Sequence, residues 1–130
     1  MNALNAAIYN KLSGGTALTT TLGGTAIYHL QAPDETPYPY VVYSLQGGGN
    51  TNLTPTYGVD TLEFIRVYHT NAAAAGSIDA LVRTQMQGTF AITGYNFVGI
   101  FREDDYESIE IDASGKQVFG MGAIYRIIFS

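Results

Sequence analysis

Cysteine is absent from this 130-residue chain, which removes disulfides and thiolate metal sites and makes the cytosol the natural place of synthesis. Basic residues are scarce: Lys11, Arg66, Arg83, Arg102, Lys116 and Arg126 stand singly against eleven acids, for a net charge of -5. Phosphate neutralisation needs clustered Lys and Arg, so nucleic-acid binding is not the expected class. No apolar run approaches the ~20 residues that cross a bilayer, and residues 2–12 lack the basic start and apolar stretch of a signal peptide. A soluble protein with no membrane partner is expected. Catalytic signatures are missing too. His29 and His69 lie in no HExxH spacing, Ser44 has no GxSxG setting, and Gly47-Gly48-Gly49 precede Asn50 rather than a Lys-Ser/Thr. Neither catalytic residues nor cofactors are implied.

What is present suits contact between proteins. Only 13% of residues are charged while 46% are hydrophobic, and Tyr supplies ten of the rings against six from Phe. A surface with few charges and many tyrosines favours an oligomer. The length fits one domain over residues 1–130, able to bury roughly two-thirds of its unfolded surface.

The chain is organised around residues 61–87, a long strand running into an amphipathic helix. The strand carries apolar groups on both faces: Leu62, Phe64 and Tyr68 with Arg66 on one, Ile65 and Val67 with Thr61, Glu63 and His69 on the other. Both faces are therefore expected to be covered, by helices on one side and a neighbouring subunit on the other, unless a bulge switches the phase. Asn71 sits where an N-cap belongs, Gly88 where a C′ residue belongs, and Ala74, Ala75, Ile78, Leu81 and Val82 form a helical stripe with Asp79 and Arg83 on the wet side. Gln85 within the apolar arc and Gly76 inside the helix depart from this pattern.

Before that unit, Leu4, Ala7, Ile8 and Leu12 share a helical stripe stopped by Gly14-Gly15, and residues 16–22 read as a shorter helix ended by Gly23-Gly24. Residues 26–30 form a short strand, Pro33, Pro37 and Pro39 forbid helix, and residues 40–46 return to strand. Residues 47–55, including Asn50 and Asn52, are expected to be a mobile hairpin loop that orders against a partner. After the helix, residues 95–101 are strand, and an acidic stretch follows with Glu103, Asp104, Asp105, Glu107, Glu110 and Asp112. Its end reads as an edge strand guarded by charge. In the last strand Phe119, Met121, Ala123, Tyr125, Ile127 and Phe129 form the core face, while Gly120 and Gly122 on the other face leave room for a neighbour's backbone or ring. The fold class is α+β: a mostly antiparallel sheet with an N-terminal helix and one long helix packed across it.

The acids at 103–107 lack EF-hand spacing, so a solvated hairpin is preferred to a calcium site. A ligand-binding domain using Glu103, Asp104 and Glu107 would need a closed, dry pocket beside them. In a ring these acids could instead meet Arg66, Arg83 or Arg126 of the next subunit, or line a pore.

The order of pieces resembles the tail-terminator or tail-completion proteins of long-tailed bacteriophages and prophages. The resemblance rests on Ala17-Leu18 before Gly23-Gly24, Ile27-Tyr28, Pro37-Tyr38-Pro39-Tyr40-Val41, the 61–82 unit, residues 95–101 and Gly122-Ala123-Ile124-Tyr125-Arg126-Ile127. It implies a virion protein, assembled in the host cytoplasm, that forms a hexameric ring on the head-proximal end of the tail tube. Its implied partners are further copies of itself, the tail tube protein and the head connector or adaptor; a head-completion role is the alternative. A protomer of this size has a radius of gyration near ~14 Å, too small to enclose a duplex, whereas a closed ring could. The acidic balance would let DNA pass without being gripped.

Overall fold

The computed structural model describes residues 2–50, 58–89 and 91–130. Along the chain come α1 (Asn2–Ser13), α2 (Thr16–Leu22), β1 (Ile27–His29), β2 (Tyr40–Asn50), β3 (Val59–His69), α3 (Ala72–Met86), β4 (Phe97–Ile111) and β5 (Gln117–Phe129). The strands build one sheet in the order β1-β2-β3-β5-β4, antiparallel except where β1 runs parallel to β2. The α+β class and the antiparallel bias read from periodicity both hold.

The helices take the faces their spacing dictates. Leu4, Ala7, Ile8 and Leu12 of α1 are buried, and Leu18 and Leu22 of α2 join them before Gly23, in the left-handed region at φ 78°, ends the helix. The side chain of Asn71 accepts a hydrogen bond of 3.0 Å from the Ala74 N–H, so α3 starts on the expected cap. Asn71→Ala is expected to lower stability by about 1 kcal/mol, read as a fall in the urea midpoint at unchanged slope. Ala75, Ile78, Val82 and Met86 then bury against β3 and β5. Gln85 turns out to be a latch: its Nε2 donates to the Lys11 carbonyl oxygen at 2.6 Å, satisfying an open acceptor at the end of α1. Gly76 is exposed with open space around it, and nothing in the structure explains it.

Two stretches expected to be loop or hairpin are strand instead. Gly47, Gly48 and Gly49 pair with Leu62, Thr61 and Asp60 beyond a bulge at Leu45/Gly47, and β2 ends at Asn50 opposite Val59. The rest of the expected loop, Asn52 included, lies outside the described residues. The acidic stretch is likewise strand, the outer arm of a long hairpin with β5. Residues 97–111 make one continuous β4 at the sheet edge, paired with β5 throughout, and a bulge at Arg102/Asp104 absorbs the irregularity.

Candidate assembly surface

The two faces of β3 have different fates. Thr61, Glu63, Ile65 and Val67 face the helices and are fully or almost fully buried, together with Val41, Tyr43, Ala123, Tyr125, Ile127 and Phe129. Glu63 is the anomaly in this core. It is 0% exposed, and neither carboxylate oxygen has a hydrogen-bond partner among the described residues. Burial pushes its carboxyl up to about 7, because the charged form would be stranded in an apolar setting.

The opposite face is only half covered. At one end the connection between β1 and β2 folds over it, packing Ala32, Tyr38 and Tyr40 against Val42, Tyr68 and Val118. Tyr38 stacks on Tyr40 and Tyr40 tilts against Tyr68, with ring centroids 5.3 and 5.6 Å apart. Burial and a 3.1 Å hydrogen bond to the Asp112 carboxylate push the Tyr38 phenol up to about 12. An open groove of about 1000 Å³ runs here, lined by these tyrosines, Arg66 and the β4–β5 turn.

Toward the other end nothing among the described residues seals the face. Leu62, Phe64, Ile124 and Ile128 are half-buried, and Phe101 is 55% exposed. Arg66 lies among them with its guanidinium carbon 4.5 Å from the Phe64 ring centre and 5.7 Å from that of Tyr68. Its buried Nε has no hydrogen-bond partner and its charge no ion-pair partner among the described residues.

The other candidate residues sort by whether their own chain occupies them. Arg126 grips the Asp60 carboxylate through two hydrogen bonds of 2.7 and 2.8 Å and pairs with Glu103, tying β3, β5 and β4 together. Arg102 holds Asp79 of α3 bidentately, donates to the Tyr125 hydroxyl at 2.8 Å and pairs with Asp105. Burial alone would lower its pKa, but Asp79 and Asp105 hold it charged and raise it; in return Arg102 lowers Asp105. Asp79 therefore does not sit on the wet side with Arg83, which stays exposed. Arg102 was missed because its partner lies on another element. Asp104 and Glu107 are exposed on β4 without a cationic partner among the described residues. Glu103, Asp104 and Glu107 line neither the tyrosine groove nor the smaller hollow beside Arg102, so a pocket-forming role for them has no geometric support. Among the described residues no three of His, Asp and Glu come together to hold a metal ion.

Gly120 and Gly122 are filled from within. A Cβ on Gly120 would meet Ser108 Oγ and lie 3.1 Å from the Tyr68 ring, and one on Gly122 would run into the Ile65 carbonyl and stand 2.8 Å from the Arg66 Cα. The rings of Phe64 and Tyr106 meet edge-on over this region, 4.7 Å between centroids.

An apolar sheet face left open and rimmed by ion pairs is the kind of surface that protein–protein contacts use. The family model described as tail completion protein gp17 matches residues 6–119, and the chain belongs to that family. It is accordingly a structural protein of the virion tail. A chain from a solved structure, the virion of a native gene transfer agent particle, matches with a TM-score of 0.75 and 20% identity, covering 99% of this chain and 96% of that one. That likeness speaks for the fold. No curated protein sequence matches.

Proposed function

We propose that this protein forms a six-membered ring on the head-proximal end of the tail tube, ends tube polymerisation and joins the tail to the head connector. Its partners are then other copies of itself, the tube protein and a connector or adaptor protein. The observation that carries this reading is the open face at Leu62, Phe64, Phe101, Ile124 and Ile128, which needs a second cover that self-association can supply. Family membership supports the tail setting. The net charge of -5 per copy suits a conduit through which DNA passes unbound.

Purified protein added to polymerising tube subunits is expected to halt growth, with a ring visible at one tube end by electron microscopy. Tubes that keep elongating at stoichiometric excess would remove the terminator role. Binding to tailless heads without any effect on tubes would reassign the protein to the head side of the joint.

A further inference from the structure

Two uncovered apolar patches lie on opposite faces of the sheet, one around a cationic side chain and the other beside an acidic one, neither of which has an ion-pair partner among the described residues. The first surrounds Arg66, on the face with Phe64, Ile124 and Phe101. The second is the far end of the β4–β5 hairpin, on the helix side but past the cover of α3. There Glu107 sits opposite Met121 and Ile109 opposite Phe119, on the same face as Val67, which pairs with Met121. Ile109 and Ile111 are 65% and 75% exposed, far above what an isoleucine on a covered sheet shows.

We propose that the hairpin patch of one copy packs onto the Arg66 patch of the next, with the Glu107 carboxylate against the Arg66 guanidinium. The idea rests on the ring reading above and names the junction within it. Three observations select the pairing. A closed ring needs head-to-tail contacts between two different surfaces, and these patches lie on opposite faces of one sheet. Contact of the Arg66 patch with itself is a two-fold contact that closes at a dimer, so it cannot propagate around a ring. The carboxylates on the helix side are nearly all committed: Glu63 is buried, and Asp79 and Asp105 pair with Arg102, which leaves Glu107 free on β4. Asp104 and Glu110 share the Arg66 face, as their opposite numbers Ile124 and Val118 do, so a copy stacked on that face does not present them to Arg66.

The chemistry is favourable. Phe64 and Tyr68 already hold the guanidinium in place, and a carboxylate arriving between stacked sheets about 10 Å apart would supply the missing acceptor for Nε with little ordering left to do. Ile109 and Ile111 would cover the open rings beside it.

Charge reversal tests the junction in the tube-capping assay. Arg66→Glu alone and Glu107→Arg alone are each expected to weaken capping by about tenfold or more, since every junction then opposes like charges. An equimolar mixture of the two is expected to restore capping, because each junction of an alternating ring pairs opposite charges. The milder Arg66→Gln and Glu107→Gln guard against misfolding: each should weaken capping, and the double variant should be no worse than either single one. Single variants that cap like the parent protein, or a mixture as inactive as its parts, would overturn the pairing. If the parent protein itself fails to cap tubes, the ring reading falls; if it caps and the swaps are silent, only this junction falls.

Discussion

At pH 8 a Glu63→Gln variant is expected to melt about 10 °C above the parent protein, a gap that closes as the pH falls toward 4.5. Glu63 is fully buried between Leu45 of β2 and Tyr125 of β5, and no donor reaches either oxygen among the described residues. Its carboxyl rises from 4.5 in the open chain to about 7 in the fold, so between those values the folded state binds more protons than the unfolded one. Stability is therefore greatest below pH 4.5 as far as this group is concerned, declines as the pH rises to 7, and stays low above it. A shift of that size corresponds to about 3 kcal/mol. Glutamine has the shape of the protonated acid and cannot ionise, so its curve loses this dependence. The difference between variant and parent is the readout, because other carboxylates such as Asp105 and Asp112, held low by Arg102 and by the 112–116 turn, act in the opposite sense at lower pH. Parallel melting curves for the two proteins across the window would show that Glu63 is solvated or paired in solution.

Gly122→Ala is expected to lower stability by about 3 kcal/mol. Gly122 faces Arg66 across the β3–β5 ladder, and the Cβ would strike the Ile65 carbonyl and crowd the Arg66 Cα at 2.8 Å. Those are backbone atoms in the middle of the sheet, so relief requires the two strands to part. Gly120→Ala is the control: its methyl meets Ser108 Oγ and the Tyr68 ring, which can swing aside, and about 1 kcal/mol is expected. Chemical denaturation of the two variants side by side decides it. Equal losses would mean that β3 and β5 do not approach each other as closely as described.

The local signals in the sequence were sufficient for the helices and for the phase of the sheet. The cap at Asn71, the 3.6 period of α1 and α3 and the alternation of β5 are written within a few residues of where they act. What the sequence hid depends on partners far along the chain. Gln85 looked misplaced until the Lys11 carbonyl, 74 residues away, came into reach. Asp79 and Arg83 had the spacing of an exposed helical pair, yet Arg102 arrives from β4 and takes Asp79. The acids of residues 103–107 fall between two segments that read as strand, and pairing with β5 across a bulge joins all three into one. Among the candidate site residues, the glycines were read as room for a neighbour, whereas the backbone of β3 and the rings of Tyr68, Phe64 and Tyr106 occupy that room. The two-faced character of β3 was legible; that Glu63 would be sealed inside with no donor was not.

The fifteen-residue edge strand bears on how the protein must be handled. Its run of carboxylates deters a second molecule from adding its own β4 alongside, and that deterrent fades once the side chains take up protons. Near the isoelectric point, about 4.7, the net charge that holds separate molecules apart is gone as well. Mildly acidic buffer thus favours the individual fold through Glu63 while stripping away what keeps separate molecules from clumping, so concentrated samples belong at neutral pH even though Glu63 is better accommodated in acid.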